Sequence, residues 1–186
     1  MSLDKRRGGA ELKSSRAWAH PLRLRIMSLL TGVELSAAEV ARELAITQAN
    51  ASYHLRRLAD AGELEVSDVV KVRGGLAKKY RYVARTDSAS REWGATTEQS
   101  QARMQQLRQA LDAELRRRIP LVSNGPALFA DAEVWLAPED VARARALLHE
   151  ASMLVHDRAQ PPRTDGTDHV SFVTWIFRMD RADEAR

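Results

Sequence analysis

Residues 36–62 read SAAEVARELAITQANASYHLRRLADAG, and their spacing predicts two short helices joined by a tight turn. Ser36 is a side chain that accepts a free backbone amide at a helix start, and Glu39, three residues on, completes a capping box. Val40 and Leu44 then share one helical face. Ala45-Ile46 interrupts the period, Thr47 supplies a second cap, and helix-forming residues run on to Gly62, which suits a helix stop. In the second helix Ala51, Leu55 and Leu58 mark a buried stripe. Gln48, Ala49, Ser52, Tyr53 and Arg56 fall on the opposite face, where no acid occurs before Asp60.

Ordinary solvated helix faces carry long charged residues of both signs, whereas this one carries short and amide-bearing side chains. That composition suits close approach to a polyanion. Gln and Asn can bridge two atoms of adenine, Arg can fork onto guanine or phosphate, and Ser and Tyr hydroxyls reach phosphate oxygens. The pair reads as a DNA-reading helix-turn-helix. A plain helical hairpin with a polar surface has a similar pattern, so the flanking residues decide.

Upstream, a helix is expected over residues 10–19. His20-Pro21 restarts it, with Leu22, Ile26, Leu29 and Leu30 facing inward and Arg23 and Arg25 outward. Downstream of Gly62 the period changes to alternation: Leu64 and Val66 on one face, Glu65 and Ser67 on the other, then Val69 to Val72, the Gly74-Gly75 turn, and a return strand with Tyr80 and Tyr82 on one face. Lys71, Arg73, Lys78, Lys79 and Arg81 surround that turn, and no acid stands between Asp68 and Asp87. Lysines also protect ordinary sheet edges. Directly after a helix-turn-helix, however, a basic hairpin reads as a wing that touches the DNA backbone or minor groove.

Residues 15–85 resemble the ArsR-type winged-helix transcriptional regulators, through AHPLRLRIMSLL at 19–30, the stretch 36–66 and the return strand KYRYV. By this resemblance Thr47-Gln48 opens the recognition helix, and Ser52, His54 and Leu55 form a signature within it. The resemblance also implies a homodimer that reads an inverted-repeat operator in double-stranded DNA, one recognition helix per half-site. The expected DNA-binding residues are Thr47, Gln48, Asn50, Ser52, Tyr53, His54, Arg56, Arg57, Arg73 and Lys78. For His54 a phosphate contact and a hydrogen bond within the domain are both open. Metal sensors of the family use cysteines beside the reading helix, or Asp and His on the helix after the wing. This chain has no cysteine, and residues 86–120 contain no histidine, so neither metal nor cofactor is expected.

Residues 88–119 are polar and helix-forming, with Trp93, Met104, Leu107, Leu111 and Leu115 as a narrow apolar stripe. A linker or dimerisation helix is the expected reading, against a helix lying on its own domain. Arg116, Arg117 and Arg118 complement its C-terminal dipole rather than DNA. Residues 120–126 break the pattern as a hinge. Beyond them ALFADAEVWL (127–136) is expected to form a strand, Pro138 to Arg158 a helix, QPPRTDGTD (160–168) a loop, and HVSFVTWIFRM (169–179) a strand apolar on both faces that needs cover on each side. This piece is expected to dimerise, to bind a small-molecule effector, or both.

The fold class expected is therefore mainly α with a small β component. It divides into a winged helix-turn-helix domain over residues 10–86, a linker or dimer helix over 87–120, and a strand-helix-strand unit over 121–186. Charge supports that division, because residues 1–85 hold 16 Lys and Arg against 9 Asp and Glu, while residues 86–186 hold 13 against 16. One half is cationic, the footprint of a phosphate-binding surface. Without cysteines there are no disulfides and no thiol chemistry. No apolar run approaches the roughly 18 residues a membrane helix needs, and MSLDKRRGGAELK lacks the apolar centre of a signal peptide; the expected location is the cytoplasm. His149 and His156 lie seven residues apart on one helix, too far for one metal without a third ligand. Trp135, Phe172, Trp175 and Phe177 suit core packing or the wall of a ligand pocket. No phosphate-cradling glycine loop or nucleophile elbow occurs, so an enzyme is not expected. The function expected is that of a DNA-binding transcriptional repressor, with a winged-helix protein-interaction module and an effector-dependent binder as alternatives.

Overall fold

The computed structural model describes residues 18–72, 75–82, 98–125 and 127–179. Almost all of the helix expected over 10–19, the wing tip at Arg73 and Gly74, and the start of the long helix with Trp93 lie outside these residues.

Helix α1 (Pro21–Leu29) begins as the His20-Pro21 pair requires: the His20 imidazole Nδ1 accepts the Leu22 N–H at 3.2 Å, and Pro21 fills a position whose amide has no partner in a helix. Leu24, Ile26, Met27 and Leu30 are buried, more than one face can hold, because α1 packs on both sides. Strand β1 (Leu35–Ser36) leads directly into α2 (Ala37–Leu44). Ser36 serves both elements. Its backbone pairs in register with Lys79, while its N–H and hydroxyl each donate to Glu39 Oε2 at 2.7 Å and the Glu39 N–H returns to Ser36 Oγ at 3.4 Å, the expected capping box.

Ala45 closes α2 at φ 54°, a left-handed conformation, and the Ile46 N–H then reaches Ala41 O at 3.0 Å. Thr47 Oγ1 accepts the Asn50 N–H at 3.2 Å and opens α3 (Gln48–Asp60). The helix ends at Gly62, whose φ of 75° lets the Glu63 N–H donate to Leu58 O and the Gly62 N–H to Ala59 O, both at 2.9 Å. That is the double closure a glycine permits and a side chain resists.

Strands β2 (Leu64–Val72) and β3 (Gly75–Tyr82) form an antiparallel hairpin, and β1 pairs on the other side of β3, giving the order β1-β3-β2. A bulge at Ser67 shifts the register, so Val66 faces Tyr80 while Asp68 faces Lys79. Tyr82 donates its N–H to Leu30 O at 3.0 Å and meets Trp18 edge to face at 6.3 Å, which ties the return strand to α1. The core joins Ile26, Leu30, Val40, Ala51, Leu55 and Leu58 with Leu64 and Tyr80 of the sheet.

Helix α4 (Glu98–Arg118) packs on α1. Leu107 and Ala110 are buried, and Ala110 joins the same core with Leu111 beside it. The apolar stripe of the long helix is thus engaged at its centre by its own domain, the alternative left open by the sequence; Leu115 remains on the surface. Buried Glu114 faces Arg117 at 2.8 Å and Arg118 at 3.4 Å, and Arg116 holds Asp112 at 3.0 Å. The three arginines neutralise the helix's own acids.

The strand-helix-strand expectation for residues 121–186 is only one-third realised. Helix α5 (Pro138–Arg158) forms at the expected bounds, with Glu139 and Asp140 in its first turn. Residues 127–137 and 167–179 run without turn, bend or helix, but among the described residues neither segment is in a ladder. A strand exists through the hydrogen bonds of a neighbour, and alternation in a sequence cannot supply one. Of the aromatics, Phe177 lies edge to face with Trp175 at 5.8 Å, both are substantially exposed, Trp135 is exposed and Phe172 is half-buried.

One part of this C-terminal region does dock. Residues 159–163 lie across the body so closely that a Cβ on Gly32 would sit 2.7 Å from Gln160 O. Arg163 chelates both carboxylate oxygens of Glu43 at 2.8 Å, His156 packs on Tyr82 with ring centres 5.6 Å apart, and Arg118 donates to Ser171 Oγ at 3.5 Å.

Candidate nucleic-acid interface

The buried stripe Ala51, Leu55 and Leu58 fixes the rotation of α3, and so determines which side chains face outward. Thr47, Gln48, Asn50, Tyr53, Arg56 and Arg57 are exposed, and Ser52 is half-buried. Arg56 Nη1 donates to Ser52 Oγ at 3.2 Å, one turn apart, which steadies the guanidinium on the outer face. No acid interrupts this face before Asp60 at the helix end.

His54 does not belong to it. The structure buries this residue against His20, with ring centres 4.8 Å apart, and against Tyr53 at 5.1 Å. It lies one residue before Leu55, on the inner half of the helix, away from the outer face, and its Nδ1 has no hydrogen-bond partner among the described residues. Burial lowers the His54 pKa below its usual 6.5, and the neighbouring His20 and Arg23 lower it further; His20 is lowered by burial and then by Arg23. Both rings are held neutral, as the His20 cap requires of an acceptor nitrogen.

Arg23 was expected only to face outward from a supporting helix. It stands instead beside α3, where burial first and the Arg57 charge second weaken its hold on its proton, and Tyr53 opposes them. The Arg57 charge of α3 thus acts on a half-buried guanidinium of α1. Their proximity depends on how α1 crosses α3, which no local pattern in either helix reveals.

A shallow open groove lined by Arg42, Ile46, Gln48, Val70, Val72 and Lys79 separates the start of α3 from β2 and β3. Within the wing the cations differ. Arg81 is paired with Glu65 at 3.2 Å, and Lys79 lies near enough to Glu39 to help hold its carboxyl below the usual range, after the larger effect of the Ser36 hydrogen bonds. Lys71 and Lys78 are exposed, and no ion pair engages them among the described residues. Thr47, Gln48, Asn50, Ser52, Tyr53, Arg56 and Arg57 thus stand at the start of α3 or along it, His54 turns inward on the same helix, Lys78 lies on the hairpin in register with Val69, and Arg73 lies outside the described residues.

Elsewhere, His156 donates from Nδ1 to Ser152 O at 2.7 Å within its own helix. Among the described residues no three His, Asp or Glu side chains converge as a metal site, and no helix is long and apolar enough to cross a membrane.

No curated protein matches this chain. Residues 19–66, from the His20 cap through α1, α2, α3 and into β2, match a family model described as a helix-turn-helix domain. Two capped helices about a left-handed turn, supported by a third and followed by a hairpin, are that domain as it stands in this chain.

Proposed function

We propose that this protein is a dimeric, sequence-specific transcriptional regulator, a repressor of the ArsR-type winged-helix kind, that places α3 in the major groove of an inverted-repeat operator. The observation that carries this reading is the acid-free outer face of α3, with Arg57 on it and Arg23 of α1 within reach of its charge, together with the exposed wing lysines Lys71 and Lys78, which no ion pair engages among the described residues. Gln48, Asn50 and Arg56 are the base readers, because amide and guanidinium groups match the donor and acceptor pairs of adenine and guanine. Thr47, Ser52, Tyr53, Arg57 and the wing lysines hold phosphates, which sets register and supplies salt-dependent affinity. Two copies place their helices about one turn of DNA apart, roughly 10 base pairs. No catalytic role is assigned, and the cytoplasm is the compartment of such a regulator.

The test is selection of genomic fragments by the purified full chain at two salt concentrations, followed by sequencing. Enrichment of one inverted repeat, with affinity falling steeply as salt rises, is the expected result. Sequence-blind binding at both salts would sink the reading.

A further inference from the structure

Glu43 stands in the last turn of α2, two residues before the left-handed Ala45 that turns the chain toward α3. A carboxylate is disfavoured there, because the carbonyl end of a helix already carries negative partial charge. The cation that answers it comes from 120 residues further along the chain. Arg163 Nη2 donates to both carboxylate oxygens of Glu43 at 2.8 Å, and the Glu43 side chain keeps only 30% of its surface in water. Arg42, the base in the same turn of α2, lines instead the groove toward Gln48. The segment that carries Arg163 is itself fixed to the body. At Gly32, just past α1, its backbone passes so close that Gln160 O stands 2.7 Å from where a Cβ would sit. His156, near the end of α5, lies against Tyr82 at the end of β3 with ring centres 5.6 Å apart. The Thr164 N–H and hydroxyl both donate to Pro161 O, at 3.2 and 2.7 Å, and close a turn in which Arg163 stands at φ 67°. An arginine keeps that conformation only where its surroundings hold it.

We infer that Arg163 is a positioning residue for DNA reading: by neutralising Glu43 it holds the last turn of α2, and through the Ala45 turn it sets the angle at which α3 is presented. The two helices share one core, in which Val40 of α2 meets Ala51 and Leu55 of α3, so a frayed end of α2 is passed on to the reading helix. Reading suffers first. A base reader fails when it moves by about half an ångström, whereas a lysine on its flexible stem still reaches a phosphate. Anything that draws residues 159–163 off the body therefore lowers discrimination between sequences before it lowers affinity for DNA as such.

This inference rests on the DNA reading proposed above, and two readouts on the full chain keep their failures apart. Hydrogen exchange at the Ile46 amide, which donates to Ala41 O at 3.0 Å across the Ala45 turn, reports the end of α2 without any DNA. The ratio of affinities for the enriched repeat and for random DNA reports reading, because a uniform change in charge cancels in it. Arg163→Gly removes the guanidinium and suits the left-handed turn, so the segment stays docked, as limited proteolysis of residues 159–167 checks. It should speed exchange at Ile46 about two- to fivefold, the worth of a well-formed exposed ion pair, and lower the ratio by a similar factor. Adding Glu43→Gln to that variant removes the unanswered carboxylate and should restore both readouts. Arg163→Lys keeps a cation on the segment and should lose less than Arg163→Gly. A segment that is only a tether gives no recovery with Glu43→Gln. Unchanged exchange in Arg163→Gly, absence of that recovery, or faster exchange with an unchanged ratio overturns the inference. A parent chain that binds every sequence alike removes the proposed function and the ratio with it, while the exchange cycle still decides whether Arg163 holds the turn.

Discussion

The N-terminal body and the C-terminal region use their apolar residues in opposite ways. In the body, Ile26, Leu30, Val40, Leu55 and Leu58 are almost wholly removed from water, and every helix end described there is closed by a side chain, a glycine or a backbone bond. In residues 127–179 no hydrophobic side chain reaches that level of burial, and the segments that flank α5 join no sheet among the described residues. The body is complete within one chain. The C-terminal region has the residues of a core, but among the described residues much of their apolar surface is exposed.

The sharpest way to break this contrast is to remove comparable side chains from each side. Leu55→Ala empties a fully buried site and should cost about 2–5 kcal/mol of unfolding free energy. Leu128→Ala removes the same atoms from the surface of one chain, and its effect on unfolding of the body should stay within about 0.5 kcal/mol. Chemical denaturation followed by helical circular dichroism measures both. Equal losses would show that Leu128 has cover within the chain.

The two regions meet where residues 159–163 cross Gly32, and that junction gives the next largest effect. A methyl at Gly32 would stand 2.7 Å from Gln160 O and 2.9 Å from Ala159 C. Both are backbone atoms, so no rotamer change relieves the clash. Gly32→Ala should cost about 1–3 kcal/mol, in the range of overpacked sites, or release the crossing segment. Limited proteolysis distinguishes the two, since release exposes residues 159–167 to cleavage while the body keeps its melting temperature.

A third substitution sharpens the contrast within the body, between residues that build it and residues it displays. Gln48 is exposed at the first position of α3. Gln48→Ala should leave folding unchanged and cost about 1–3 kcal/mol of binding free energy at one operator position. Lys78→Ala should instead weaken every sequence alike and lower the salt slope by about 1. Equal losses on operator and random DNA for both variants would refute the assignment of Gln48 as a reader.

Much of the body was legible in the sequence because its signals are local. A cap and the amide it binds are three residues apart, as in Ser36 and Glu39 or Thr47 and Asn50, and Gly62 ends α3 by its own backbone freedom. What was not legible is what covers each surface. Periodicity shows that Leu107 and Leu111 share a face of α4, but not that α1 lies beneath them. The same limit hid the inward turn of His54, whose environment is set by His20 on another helix, and the meeting of Arg23 with Arg57. It also accounts for residues 127–136 and 169–179, expected as strands, which join no ladder among the described residues.

A smaller effect, spread across pH, tests the buried histidines. Both His20 and His54 have pKa values lowered from 6.5, so the folded body resists protons that the unfolded chain accepts. Stability is then full above about pH 6.5 and declines as pH falls below it, until the lowered values are themselves passed. His20→Asn keeps a capping acceptor without a site that titrates here, and should flatten the decline between about pH 7 and about pH 5. An unchanged profile in that variant would leave His54 as the sole source.

The smallest effects belong to Arg163, which anchors the crossing segment in two opposed ways. Its guanidinium holds Glu43 at 2.8 Å, yet three-quarters of its side chain is in solvent, so the pair contributes about 0.2–1 kcal/mol. Its backbone stands at φ 67°, a conformation that costs an ordinary residue about 1–2 kcal/mol. Arg163→Ala removes the ion pair and keeps the strain, and should loosen the segment slightly. Arg163→Gly removes both, and should leave the segment as well protected from proteolysis as the parent chain or better. The difference between these two variants measures the strain alone. If both loosen the segment equally, the left-handed turn is not strained there, and the ion pair with Glu43 is what holds residues 159–163 against the body.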